Sequence, residues 1–236
     1  MNQNTNQYMA EESIGKLMLR FSIPCIMSLL VSALYNIVDQ IFIGQGVGYL
    51  GNAATTVSFP LQTIILALGT MIGAGASAYA AIKLGEKREQ EAEHTLGNAF
   101  FMLVLAGIII MVVGLVFLEP ILYLFGATAK NFAYSQDYAS IILLGTVFNL
   151  LGIGLSNMAR TDGSPNIAML SMIAGAVLNT ILDPIYIFVF HWGVKGAAIA
   201  TITSQIIGAV ILVYYFLKKS TMRLHISQMK IKKTIF

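Results

Sequence analysis

Thr95–Leu118 reads TLGNAFFMLVLAGIIIMVVGLVFL, a run without one Asp, Glu, Lys or Arg. A hydrocarbon core of about 30 Å needs about 20 residues of helix to cross it, and this run is long enough. Working outward, five more apolar runs qualify, at about 17–43, 53–82, 134–159, 166–190 and 194–217. The whole chain of 236 residues is 57% apolar and 11% charged, with a mean hydropathy of +0.76. Soluble domains carry roughly 25% charged residues, so these charges cannot coat a water-facing surface. A soluble enzyme, a disordered chain and a disulfide scaffold are excluded, the last because Cys25 is the single cysteine. The expected fold is an all-α membrane protein, a six-transmembrane-helix bundle over 17–217. A polar amino-terminal segment, 1–16, and a basic tail, 218–236, flank it. Residues 1–15 lack the order of a cleavable signal peptide.

Basic residues give the direction. Lys16, Arg20, Lys83, Lys87, Arg88, Arg160 and the tail residues Lys218, Lys219, Arg223, Lys230, Lys232 and Lys233 fall on one side. Lys130 and Lys195 fall on the other. The positive-inside rule makes the first side cytoplasmic, with both termini inside. The charged connection 83–94 reads as a helical cytoplasmic link, and the tail as a topology anchor or the start of a linker. Trp192, with Tyr186 and His191, reads as an interfacial belt on the outer side. The basic residues flank apolar runs, which accounts for the net charge of +3 without a nucleic-acid partner.

Two stretches of the chain read alike. Asp39-Gln40-Ile41-Phe42-Ile43 is followed by Gly48-x-x-Gly51-x-Ala53, and Asp183-Pro184-Ile185-Tyr186-Ile187 by Gly193-x-x-Gly196-x-Ala198. From Asp to the first Gly is 9 residues in one copy and 10 in the other. Both copies run outward and back, so the repeat is parallel. It places Asp39 and Asp183 at similar depth in the first and fifth spans. Repeated helical units framing a mid-membrane site mark transporters.

Asp39 and Asp183 are also the acidic residues that lie well inside spans. A carboxylate at a helix centre costs about 2.5–3.5 kcal/mol on insertion, so it serves a function unless something compensates. Asn36 and Asn179 sit three and four residues before them and are expected to share their helix faces. Pro184 removes an amide donor and frees the Thr180 carbonyl, a candidate hinge and ligand. Thr201, Thr203, Ser204 and Gln205 in the sixth span add hard oxygen donors, suited to a proton or sodium ion rather than to zinc or copper. Tyr35, Phe42, Phe59, Phe148 and Tyr186 are set aside as packing or lipid-facing aromatics. The glycines and alanines of the second and sixth spans read as close helix packing. No G-x-x-x-x-G-K-[ST] or H-E-x-x-H occurs, so an ion gradient is the expected energy source rather than nucleotide or zinc chemistry.

Ordered motifs carry a resemblance. They are Tyr35-Asn36-x-x-Asp39-x-Ile41-Phe42-Ile43-Gly44, Asn157-x-x-Arg160-x-x-Gly163-x-Pro165, Asn179-x-x-Leu182-Asp183-Pro184 and Gly193-Val194-x-Gly196-Ala197-Ala198-x-Ala200-Thr201. From about residue 11 onward the chain resembles the amino-terminal lobe of a multidrug and toxic compound extrusion (MATE) transporter. The last two spans are similar to its MepA-like branch. The resemblance implies one lobe of a twelve-helix transporter of the bacterial cytoplasmic membrane, no enzymatic activity, and export of lipophilic, often cationic drugs against H+ or Na+. It implies a coupling site at Asp39, Asn179, Asp183 and Thr201, with Asn36 and Asn157 as supporting residues. Partners so implied are the lipid bilayer, small-molecule drugs and a missing carboxyl-terminal lobe, which makes the chain an amino-terminal fragment of an exporter. Two alternatives stay open, a lipid-linked oligosaccharide flippase of related fold and a truncated fragment that does not transport. An intramembrane aspartyl protease is disfavoured, because Asp183 sits in Leu182-Asp183-Pro184 and not in G-x-G-D.

Overall fold

The computed structural model describes residues 12–224; the remainder of the amino-terminal segment and of the basic tail lies outside the described residues. The first apolar run forms α1 (Ile14–Gly46) and the second α2 (Tyr49–Gly85). The third forms α3 (Glu89–Val116), followed by the short α4 (Leu118–Leu124). The fourth run is divided into α5 (Phe132–Leu144) and α6 (Thr146–Thr161), which meet at 54°. The fifth forms α7 (Pro165–Pro184) and continues as a π-helical turn, Ile185–Val189. The sixth forms α8 (Gly193–Lys218). All six expected crossings are therefore present, the fourth as a bent pair.

The main core joins Leu61 and Ile65 of α2, Leu103 of α3, Leu150 and Leu155 of α6, and Phe216 of α8. Glycine lets α2 and α6 cross closely, since a Cβ on Gly73 would sit 2.7 Å from Gly154 Cα. A smaller core gathers Ile43, Tyr138, Ile142, Ile187 and Val194 at the end that the basic residues are expected to place outside, the outer end, opposite the inner end that carries Lys83 and Arg160. The helix α8 buries one face from Val194 to Phe216 and exposes Val210 and Tyr214 on the other, whereas α1 buries only Pro24, Ser28, Asp39 and Ile43 and leans mainly on α7.

The two repeat copies pack against each other at this outer end. Phe42 meets Phe188 edge-to-face at 6.2 Å, and a Cβ on Gly46 would strike Ile187. Each copy turns on its first glycine, Gly48 at φ +86° and Gly193 at φ +54°, a region closed to most side chains. The extra residue of the second copy is accommodated where the π-turn widens the helix after Pro184.

At the inner end, α2 and α3 join through Glu86–Arg88, where Lys83 meets Glu86 at 2.9 Å and Arg88 pairs with Glu91. The expected helical link is thus two helix ends around a short turn. At the outer end Tyr186 stacks on Phe190, Trp192 packs tilted against both rings, and Lys195 pairs with Asp137 at 3.3 Å. A cleft of about 550 Å³ opens beside that ion pair.

Candidate functional site

The contact between α1 and α7 brings Asp39 and Asp183 together. Both are buried, Asp183 completely, and their carboxyls lie within hydrogen-bonding reach of each other. Within α7, the spacing of four residues lets Asn179 Nδ2 donate to Asp183 Oδ1 at 3.2 Å. Among the described residues, Asp39 Oδ1 and Asp183 Oδ2 have no hydrogen-bond donor. A buried carboxylate oxygen in that condition is a high-energy acceptor, and two of them at one place form a site for a proton or a cation.

Two phenols complete the surroundings. Tyr35 stands one turn before Asp39 on α1, and Tyr138 comes from α5; both lie close enough to feel the charge of Asp39 and Asp183. Tyr138 is also within reach of Gln62 on α2. Gln40 neighbours Asp39 and accepts from Thr55 Oγ1 at 3.0 Å, which ties the pair to α2. Tyr138 and Gln62 are the residues that sequence reasoning missed. A phenol in an outer span half reads equally well as interfacial anchoring, so no local signal marks it.

The other expected residues lie elsewhere. Asn36 is exposed, donates to the Ser32 carbonyl at 2.8 Å, and lines a surface groove with Gln40, Gln45 and Asn52. It does not share the buried face of Asp39. Asn157 donates to the Ile153 carbonyl at 3.3 Å and accepts from Arg160 at 3.2 Å, near the inner end of α6. Thr201 is half-buried on α8, and no described hydrogen bond joins it to either carboxyl. Pro184 stands at the junction of α7 with the π-turn, directly after Asp183. Asp137 is at the outer surface in its ion pair with Lys195.

The sequence profile of the family described as MatE matches residues 24–185. The chain is 33% identical over 217 residues to the multidrug export protein MepA of Staphylococcus haemolyticus, covering 90% of this chain and 47% of that protein. It superimposes on a crystal structure of a MATE protein in a bent conformation with a TM-score of 0.91 at 26% identity, over 100% of this chain and 52% of that one. The structure of the MATE multidrug transporter DinF-BH matches with a TM-score of 0.88 at 37% identity, over 94% of this chain and 50% of that one. The chain spans about half the length of the curated relatives it matches.

Proposed function

The chain belongs to the MatE family of multi-pass membrane transporters, and from that premise we propose that it forms the cation-coupling half of a multidrug antiporter in a bacterial cytoplasmic membrane. The observation that carries this reading is the contact between the carboxyls of Asp39 and Asp183, with one oxygen of each left unpaired in the interior. Two unit negative charges within hydrogen-bonding range repel by roughly 4–5 kcal/mol at an effective dielectric of about 20. One cation placed between them removes that repulsion and draws α1 onto α7.

The coupling then follows from linkage. A cation taken up from outside holds the two helices together; its release to the cytoplasm lets them separate and admits the drug. If the cation lowers drug affinity, the drug lowers cation affinity by the same factor. The close approach of the carboxyls favours a shared proton, since a sodium ion needs its own shell of oxygens between them. Asn179 orients Asp183 for that sharing. Asn157 holds a supporting position on α6, Thr201 offers a further donor on α8, and Pro184 with its π-turn gives α7 a place to bend, while Asn36, exposed on α1, stands outside the site. The drugs are small, lipophilic and often cationic, and a second half-transporter supplies the other wall of their cavity.

The test is gradient-driven drug efflux by a transporter containing this lobe, with sodium and pH varied independently. Asp39→Asn and Asp183→Asn are expected to abolish efflux while the protein still reaches the membrane. Efflux at wild-type rates in both variants would refute the assignment. A requirement for sodium at constant pH would replace the proton by sodium and leave the site in place.

A further inference from the structure

Asp162 is a third interior carboxyl, and it lies outside the spans, in the turn between α6 and α7. It is 0% exposed. Its partners come from the far end of the chain. The Tyr215 hydroxyl donates to Oδ2, as does the Thr221 amide at 3.1 Å, and the Met222 amide donates to Oδ1 at 3.2 Å. Ser164 shares the Tyr215 oxygen at 2.8 Å.

The described residues beyond α8, 219–224, therefore fold back onto the bundle. Met222 and Leu224 are buried in the main core, the Leu224 amide donates to the Phe216 carbonyl at 3.0 Å, and the Arg223 amide donates to Glu93 on α3 at 3.1 Å. Burial pushes the Asp162 carboxyl above its ordinary range, and the hydrogen bonds from Tyr215, Met222 and Thr221 pull it back. Every one of those donors comes from α8 or the segment that follows it. Burial of Asp162 is thus tolerable only while that segment is docked, and the segment is docked on Asp162.

We propose that Asp162 anchors a cytoplasmic clasp, in which the α6–α7 turn grips residues 220–224 and holds them against the ends of α3 and α8. The clasp ties the inner ends of α3, α6, α7 and α8 into one base. Lys218, Lys219 and Arg223 are held at the cytoplasmic surface by it, and residues 220–224 turn back toward α3 rather than continuing along the axis of α8.

Hydrogen exchange on the full chain in lipid nanodiscs tests the clasp, read on peptides spanning 218–224. Asp162→Ala is expected to speed exchange of the Thr221 and Met222 amides by at least about tenfold, and Tyr215→Phe, which removes the hydroxyl that meets Asp162 and Ser164, by about three- to tenfold. Trypsin cleavage after Lys219 and Arg223 is expected to accelerate in both variants. The amides of Leu150–Leu155 in α6 report whether each variant is folded. If Asp162→Ala loses that protection, Tyr215→Phe decides alone, because it keeps the ring that fills the core. Unchanged exchange at 220–224 in a folded variant overturns the proposal.

Discussion

Asn179 shows how one residue conditions a buried carboxyl. Its amide is the side-chain donor to Asp183 Oδ1, and Asp183 Oδ2 has none. Removing the donor leaves a second acceptor unmet at 0% exposure. Asn179→Leu is accordingly expected to lower stability by about 1–3 kcal/mol, seen as a lower midpoint in detergent thermal unfolding. A midpoint unchanged or raised would mean that Asn179 contributes nothing beyond its volume. The two carboxyls were legible in the sequence because lipid makes an unpaired charge so costly that its presence in a span is information in itself. Asn36 was not, although it stands three residues from Asp39 as Asn179 stands four from Asp183. Three residues leave it about 60° round the helix, and that turn is enough to face it away from the bundle. Tyr138 was illegible for a different reason: its role comes from the packing of α5 against α2 and α8, which no local pattern encodes.

Elements tell the same story through glycine. Gly73 and Gly75 stand two apart in one small-residue run of α2, and nothing in the sequence separates them. In the fold, a Cβ on Gly73 would sit 2.7 Å from the Gly154 backbone, whereas one on Gly75 meets nothing within 4 Å. Gly73→Ala must push α2 from α6 and is expected to destabilise by about 1–3 kcal/mol; Gly75→Ala is expected to be neutral or to stabilise by up to about 1 kcal/mol. Equal melting temperatures for the two variants would deny that this crossing is close. The paired first glycines of the repeat make a second prediction. Both Gly48 and Gly193 hold positive φ at the start of a helix, so Gly48→Ala and Gly193→Ala are each expected to cost about 1–2 kcal/mol in the same thermal assay. A large loss at one and none at the other would break the equivalence of the copies. Six crossings could be read from hydropathy, since every span must be long and apolar. The break between α5 and α6 could not. No proline stands there, and the 54° bend is set where Gly145 gives way to Ile202 of α8, whose side chain would lie 2.6 Å from a Cβ.

On the scale of the whole molecule, the two ends of the lobe are built differently. The outer end holds the carboxyl pair, the positive-φ glycines and the π-turn, and its α1 rests mainly on α7. The inner end is bound by Asp162 and by the ion pairs around Glu86. A helix held chiefly by one neighbour, with a titratable contact near its outer end, can move while the opposite end stays put. That division carries meaning for transport only if the ends face the compartments assigned to them by the basic residues. Orientation is open to direct measurement, because Cys25 is the single cysteine and Cys25→Ser gives a clean background. Lys195 lies at the outer turn with its side chain 55% exposed, and Lys87 lies exposed at the opposite end. In intact cells a membrane-impermeant maleimide is expected to label Lys195→Cys and to spare Lys87→Cys; after permeabilisation it should label both. The reverse pattern would turn the lobe over. The carboxyl pair would then lie nearer the cytoplasm and the clasp outside, and an inward ion gradient would reach the wrong end of the molecule first.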